Sequence, residues 1–523
     1  MPEPADTSAD AVRDLRRRPD VPGGSAGGRG RDRPLFRRVL VANRGEIAVR
    51  VIRACRDLGM EAVAVYSVPD RYAPHARLAD AAYPLRGAAP HESYLNIDAL
   101  IDIARQAGAE ALHPGYGFLA ENPLLADACG AAGIAFVGPP AVVLRLCGDK
   151  AVARERIVAA GVPVLPGTSP IADVEAPAAA RRVGFPLLIK AVGGGGGKGI
   201  HLVRTPEDLP GALRLARGEA LTAFGDGRVY LERWVERARH VEIQILADHR
   251  AGVIHLGERE CSVQRRHQKL IEESPSPALT PALRGRMGEA AVAVARALDY
   301  RNAGTVEFLV EGDSFYFLEV NARIQVEHPV TELVAGLDLV QWQFRLAGGE
   351  PLPFGQEAVR LSGHALQCRI SAEDPHAQFL PSVGRIAAVV EPGGPGIRVD
   401  SGVQAGTEVS RHYDPLLCKV IAWGETREAA IARMRRALGE TVIAGVQTTI
   451  PFHRWAVEEP SFAQGTYDTR LIEDRWERRP APASPPEAVL LVAAAHAYLR
   501  DRTVRIPEYR RAAPRSPWRE QDQ

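Results

Sequence analysis

The chain has 523 residues, 46% hydrophobic and 25% charged, a globular composition long enough for about three to four domains of roughly 100–200 residues. Its 65 Lys and Arg against 64 Asp and Glu leave a formal charge of +1, which excludes a global field for nucleic acid or an anionic membrane. The six cysteines (Cys55, Cys129, Cys147, Cys261, Cys368, Cys418) lack C-x-x-C spacing, no apolar run reaches the roughly 20 residues that span a bilayer, and the N-terminus has no apolar signal region, so a soluble cytoplasmic protein without disulfides or structural zinc is expected.

Residues 1–34 combine Gly pairs, Arg and Asp with almost no large apolar side chain, which predicts a disordered extension. From Phe36 the pattern changes. The run from Arg38 to Ala42 reads as a buried strand, Asn43-Arg44-Gly45 as a turn, and Ile47, Val51, Ala54 and Leu58 as one helical face. Strand-like pieces from Ala62 to Tyr66, Ala111 to His113 and Ala135 to Gly138 alternate with helical patterns such as Ile97 to Ala107, which predicts a parallel sheet. A strand from Pro186 to Ala191 runs into a series of glycines. Between Val229 and Asn321 longer, strictly alternating strands suggest antiparallel sheet with one polar-lined face, interrupted by helices predicted at Pro281 to Leu298 and Thr331 to Leu346. Residues 360–472 are expected to form a further α+β block that opens on a strand from Gly363 to Ile370. Ala481 to Glu487 reads as a linker, and an Ala-rich helix from Ala488 to Leu499 and a basic tail follow.

Three stretches could carry chemistry. After Lys190 come five consecutive glycines, Gly193 to Gly197, then Lys198 and Gly199, a backbone that lets N–H groups approach a phosphate. Ordering each glycine costs about 1–2 kcal/mol, so such a loop is expected to stay mobile until a ligand holds it. It is not a Walker A loop, because Gly199 stands where Ser or Thr is needed. The second stretch alternates Glu319, Asn321, Arg323, Gln325 and Glu327 with apolar residues. At about 3.3 Å per residue a straight strand would carry Glu327 far from Glu319, so a shared site requires the chain to turn after Asn321. Across a hairpin lies Glu307. A two-residue loop at Gly312-Asp313 would pair it with Leu318, whereas a three-residue loop or a bulge would set Glu307 beside Glu319 as hard ligands for Mg²⁺ or Mn²⁺. The third stretch, Gln264 to Lys269, is basic, and His240, Glu242 and Gln244 share one face of a neighbouring strand. Without interleaved aromatics it reads as anion-binding charge beside a nucleotide rather than a nucleic-acid surface.

Together these stretches resemble the biotin carboxylase family of the ATP-grasp superfamily. The matching strings are Asn43-Arg44-Gly45-Glu46-Ile47-Ala48, His113-Pro114-Gly115-Tyr116-Gly117, Gly148-Asp149-Lys150, Gly193 to Gly199, Arg239-His240-Val241-Glu242, Arg265 to Lys269, Asn321 to His328, Cys368-Arg369-Ile370 with Ala372-Glu373-Asp374-Pro375, and Tyr413-Asp414-Pro415. Such a series in register is specific, and it covers about residues 36–470. The resemblance implies an α/β and α+β chain: a Rossmann-like parallel-sheet domain at 35–148, an ATP-grasp domain at 149–358 with a mobile glycine-rich lid at about 165–235, and a C-terminal α+β domain at 359–472, with 473–523 as linker, helix and tail.

Carried over by position, the resemblance implies that Lys150 and Lys190 hold ATP phosphates while the backbone of Gly196 and Gly197 closes over them. Glu232, Arg233, Trp234 and Val235 would form the adenine-contacting hinge, and His240, Gln264 and His267 would meet the ribose. Glu307, Glu319 and Asn321 would hold two Mg²⁺ or Mn²⁺ ions. Lys269, Arg323, Gln325 and Val326 would bind bicarbonate, Glu327 would be its general base, and Arg369 would stabilise the ureido oxygen of biotin. Arg233 and Thr449 stand where Lys and Asn are common in the family, with little effect expected.

The implied reaction joins bicarbonate to phosphate as carboxyphosphate, then transfers the carboxyl group to biotin. None of Met1, Met60, Met287 and Met434 lies in a Met-Lys-Met context, so biotin is expected on a separate biotin carboxyl carrier protein. A carboxyltransferase partner and a homodimer complete the expectation, and the apolar surface of the helix from Ala488 to Leu499 is expected either to dock on the carrier or carboxyltransferase subunit or to fold back on its own chain. The first acceptor reading is an acyl-CoA, acetyl-CoA foremost, as in fatty acid biosynthesis. The alternatives are pyruvate carboxylase and another ATP-grasp ligase, of which the last would not predict Arg369 or the Lys269 and Glu327 set.

Overall fold

The structure, a computed structural model, describes residues 35–193 and 199–479. The extension at 1–34, Gly196 and Gly197, the linker from Ala481 to Glu487 and the helix from Ala488 to Leu499 lie outside the described residues.

Strand Arg38–Val41, apolar and buried after its first residue, is the centre of a five-stranded parallel sheet. Glu61–Tyr66 and Ala81–Pro84 lie on one side, Ala111–His113 and Ala135–Phe136 on the other. The strand order reverses beside Arg38–Val41, and in open parallel sheets such a switch opens a crevice at the carboxyl ends of the strands. Two of the matching strings meet there. Asn43, just past the central strand, donates from Nδ2 to the carbonyls of Pro114 (2.7 Å) and Tyr116 (2.8 Å). Gly115 is required at this approach: its φ is +64°, and a Cβ there would lie 2.9 Å from Asn43 Nδ2. The edge strand Ala81–Pro84 carries no legible sequence signal, being short and ending on proline.

A second sheet is small and antiparallel, with Leu187–Ala191 between Ile200–Val203 and Val229–Arg233. Helices Ala176–Val183 and Leu209–Phe224 cover its apolar residues.

The third is an eight-stranded antiparallel sheet: Ser314–Asn321, Asn302–Glu311, Arg239–Ala247, Val253–Arg265, Gln268–Ser274, His364–Ser371, Leu416–Gly424 and Ile397–Ser401, in spatial order. Helix Pro281–Ala297 turns Leu283, Met287, Ala291 and Val294 onto Val241, Ile243 and Ile245, and each buried aliphatic side chain contributes about 1.5–3 kcal/mol. By strand alternation His240, Glu242 and Gln244 occupy the other face, where they too are buried. The residues expected as a separate C-terminal block continue this sheet. Cys368 pairs with Ile271 and Gln367 with Glu272, so no break in hydrogen bonding separates the central and C-terminal regions.

Two expectations are corrected. The single helix predicted from Thr331 to Leu346 is two helices, His328–Ala335 and Leu339–Ala347. Gly336 ends the first in the left-handed region (φ +67°), and the Asp338 side chain caps the second by accepting from Gln341 N. The boundary expected at 472 falls too early: Trp476 is buried in the C-terminal core, its ring centroid 5.1 Å from Trp455 and 5.3 Å from Phe452.

Candidate active site

The turn between Asn302–Glu311 and Ser314–Asn321 is the two-residue loop Gly312-Asp313, with Gly312 at φ +58°. A bulge at Leu318 then shifts the register, so Phe308 stands opposite Phe317 but Glu307 opposite Glu319. The bulge also exchanges faces. Before it, Phe315 and Phe317 pack against Phe308 in the core, with centroids 5.4 and 6.4 Å away; after it, Glu319 and Asn321 join Glu307 on the polar face. The strand ends at Asn321 instead of running on to Glu327, and Gln325 and Glu327 return to the site from a loop. Glu121 braces the departure: Ala322 N donates to its Oε1 (2.9 Å) and Arg323 Nε to its Oε2 (3.0 Å).

Lys269 is the hub. It follows the turn Arg266-His267, in which both residues have positive φ (+48° and +65°), an uncommon conformation for side chains other than glycine. Its Nζ lies 2.5 Å from Glu242 Oε2, 2.8 Å from Glu307 Oε1 and 2.8 Å from Glu327 Oε1. Burial alone would depress the Lys269 pKa, yet these three carboxylates hold it well above its ordinary value. Burial likewise would raise the pKa of Glu327, but Lys269, Arg369 and Arg259 hold it well below the usual carboxylate range. Glu307 is also held low against burial, by Lys269 and His240, whose Nε2 lies 2.9 Å from Glu307 Oε2. Burial pushes Glu242 up, opposed by Arg259 and Lys269.

The fully buried Arg259 accounts for much of this order and was not singled out by sequence. It donates to Glu242 (2.5 Å), Gln244 (2.7 Å), Thr331 (3.0 Å) and Thr305 (2.8 Å). Its sequence signal was weak, a basic residue between Glu258 and Glu260 in a strand that also carries Leu256, Cys261 and Val263. Arg369, on the next strand but one, donates from Nη2 to Glu327 Oε2 (2.9 Å) and from Nε to Glu272 Oε1 (2.5 Å). Thr449, expected to matter little, donates from Oγ1 to the Arg369 carbonyl and accepts from Ser371 N, both at 3.0 Å.

On the opposite side Lys150 Nζ lies 3.3 Å from Glu319, Lys190 pairs with Glu232, and Arg233 Nη2 lies 2.9 Å from Glu311. Asn321 and Gln325 both donate to Glu307 Oε1, at 2.9 and 3.1 Å, and Arg323 Nη2 donates to Asn321 Oδ1 at 2.9 Å. Burial lowers the His267 pKa. Lys150, Lys190, the segment Glu232 to Val235, His240, Gln264, His267, Lys269, Glu307, Glu319, Asn321, Arg323, Gln325, Val326 and Arg369 line one cleft of about 1370 Å³, and Glu327 is fully buried beside them. Only Gly196 and Gly197 of the expected set lie outside the described residues.

Comparison with known proteins meets this geometry. Residues 35–144 match the biotin carboxylase N-terminal domain, 149–354 the carbamoyl-phosphate synthase L chain ATP-binding domain, and 367–474 the biotin carboxylase C-terminal domain. The chain belongs to the biotin carboxylase family. Among its relatives, a pyruvate carboxylase subunit of Methanothermobacter thermautotrophicus is 51% identical over 442 residues, 84% of this chain and 90% of that protein. Biotin carboxylase 1 of Bacillus subtilis is 50% identical over 443 residues, 84% of this chain and 98% of that protein. The biotin carboxylase domain dimer of Hydrogenobacter thermophilus 2-oxoglutarate carboxylase, solved with MgADP, ADP and bicarbonate, superposes with a TM-score of 0.81 at 47% identity, covering 84% of this chain and 98% of that one. Biotin carboxylases are ATP-dependent ligases with an ATP-grasp domain, and the three-domain architecture implied by the motifs is the one found. No helix among the described residues is long and apolar enough to cross a membrane.

Proposed function

We propose that this chain carboxylates biotin on a carrier protein, using ATP and bicarbonate. The observation that carries the reading is the buried series Lys269–Glu327–Arg369, a carboxylate between two cations, beside the facing Glu307 and Glu319, which supports an anion site with a base next to a cation site. Glu307 and Glu319, facing each other across the hairpin, and Asn321 offer two carboxylates and an amide oxygen, the ligand types of a hard divalent cation, once Glu307 and Asn321 give up their present bonds to Lys269, His240, Arg323 and each other. Mg²⁺ or Mn²⁺ held there would offset phosphate charge during transfer.

The chain's own residues supply the rest. Lys150 and Lys190, now paired with Glu319 and Glu232, exchange those partners for ATP phosphates. Lys269, Arg323, Gln325 and the Val326 backbone receive bicarbonate. As that anion takes a share of Lys269, part of the charge that depresses the Glu327 pKa is withdrawn and the carboxylate becomes a stronger base. Glu327 accepts the bicarbonate proton, the freed oxygen attacks the γ-phosphorus, and ADP leaves. Carboxyphosphate then yields CO₂ and phosphate, phosphate takes the proton from biotin N1, Arg369 stabilises the resulting ureido oxyanion with fixed planar charge, and N1 attacks the CO₂ carbon to give carboxybiotin.

The test is ADP release by the purified chain with ATP and Mg²⁺: it should require bicarbonate, rise on addition of free biotin and yield carboxybiotin. ADP release driven by an amine or amino acid without bicarbonate would move the chain to another kind of ATP-grasp ligase.

Biotin arrives on a separate carrier protein, a carboxyltransferase partner completes the reaction, and the chain works as a homodimer like the Hydrogenobacter domain. The first acceptor reading is an acyl-CoA, acetyl-CoA foremost. A second, a 2-oxo acid, is favoured by the relatives named for pyruvate and 2-oxoglutarate carboxylation. Purifying the chain from its native cells with its biotinylated partner, then assaying acetyl-CoA, propionyl-CoA, pyruvate and 2-oxoglutarate, separates the two.

A further inference from the structure

Next to Arg369 in the main sheet stands a cation that the proposed reaction leaves without a task. Lys419, on strand Leu416–Gly424, is the direct cross-strand partner of Arg369 and is fully buried. Like charges opposite each other on neighbouring strands are unfavourable, and a buried ammonium more so, unless each finds its own anchors. Arg369 reaches Glu327. Lys419 reaches the residue before it: its Nζ donates to the Val326 carbonyl at 3.0 Å.

The other partners of Lys419 come from different parts of the chain. Glu46 Oε2, within the first matching string and in the first turn of helix Gly45–Asp57, lies 3.0 Å away, and Asp400 Oδ2, on the edge strand of the sheet, 3.7 Å away. Both anions are fixed in turn, Glu46 by the Tyr116 hydroxyl and Asp400 by Arg398 at 2.8 and 2.9 Å. The Val326–Glu327 segment is a loop, held by no strand ladder. Two adjacent cations therefore seat two consecutive residues of it.

We propose that Lys419 is a positioning residue that fixes the Val326 peptide, and with it the bicarbonate site and the approach of Glu327, to the N-terminal and C-terminal regions of the chain. This rests on the bicarbonate assignment made above. A residue that fixes one substrate's cradle should move that substrate's kinetics and spare the nucleotide's.

The test compares Lys419→Gln, which keeps a donor for the Val326 carbonyl, with Lys419→Met combined with Glu46→Gln, which removes the donor without leaving Glu46 as an unpaired charge. For the double variant we expect KM for bicarbonate to rise about tenfold or more, with KM for ATP within about twofold of wild type. Lys419→Gln should fall between wild type and the double variant. Unchanged bicarbonate kinetics in a folded double variant would overturn the proposal, as would equal loss of ATP and bicarbonate affinity. Failure of both variants to fold, read by circular dichroism, would assign Lys419 to the fold and overturn it too. Wild type assayed alongside keeps the two readings apart, since absence of bicarbonate-dependent turnover there defeats the proposed reaction itself.

Discussion

Glu327, the general base of the proposed reaction, is a carboxylate that the resting site keeps weak. Lys269 lies 2.8 Å from one of its oxygens and Arg369 2.9 Å from the other, and together with Arg259 they outweigh the effect of burial on its pKa. Arg369→Ala removes one of the charges that lower this pKa, so it should rise, and the acid limb of bicarbonate-dependent ATP cleavage should move to higher pH. Cleavage itself should survive, because Arg369 is assigned to biotin rather than to ATP. Carboxybiotin formation should fall by about 10²–10³, the loss typical of one oxyanion partner. The same change strips Glu272 of its cation in a fully buried position, so a lower melting temperature should accompany it. Pre-steady-state ADP release and carboxybiotin assayed across pH check both halves; equal loss of the two activities, or an unmoved acid limb, would place Arg369 elsewhere.

At the scale of elements, the bulge at Leu318 makes the candidate metal site. Without it the two-residue turn would pair Glu307 with Leu318, and Phe317 and Glu319, two residues apart, would share a face. Glu307→Gln and Glu319→Gln should each raise the Mg²⁺ concentration needed for half-maximal activity and lower turnover, because each removes ligand charge from a cation that offsets phosphate. Near-normal activity of both variants at low Mg²⁺, measured by titration, would sink the assignment. The bulge also shows what sequence could not decide. Alternation marked which residues of Asn302–Glu311 face the core, and the motifs named Glu307, Glu319 and Asn321, yet nothing in Phe315 to Asn321 announces where an extra residue sits, because its position is set by packing against Phe308. The split of the helix after Ala335 was hidden for a different reason, since apolar periodicity runs through Gly336 and only the capping by Asp338 reveals two helices. Arg259, Glu121 and Lys419 act through contacts far away in the chain, and no local pattern encodes those.

For the molecule as a whole, the continuity of the eight-stranded sheet decides which parts stand alone. The strand Gln268–Ser274 meets His364–Ser371 through four paired positions, and buried Glu273 at that seam accepts from His364 (2.6 Å), Arg427 (2.7 and 3.0 Å) and Tyr467 (2.5 Å). Burial would raise the Glu273 pKa, but these partners lower it from 4.5 to about 2. A depressed carboxylate stabilises the fold fully above its unfolded pKa and loses that contribution as pH falls toward the folded one, here between about 4.5 and about 2, on the order of 3 kcal/mol. Glu273→Gln should therefore unfold at lower temperature at neutral pH and show a flatter decline on acidification, as calorimetry would reveal; an unaltered pH profile would show that the seam does not depend on this charge. The same seam predicts the fate of a fragment. A chain cut after residue 358 would expose the hydrogen-bonding edge of Gln268–Ser274 together with Val263, Leu270 and Ile271, which now pack against Leu366 and Cys368 in one core. It would also lose Arg369 and Lys419, and so the two cations that hold Glu327 and Val326. Expressed alone, residues 35–358 should aggregate or elute as higher oligomers; coexpression with residues 359–479 should restore a soluble complex with bicarbonate-dependent ATP cleavage. A soluble 35–358 fragment with its own cooperative unfolding transition would show that the sheet is held together from within the central region, and the seam would then matter for the site alone.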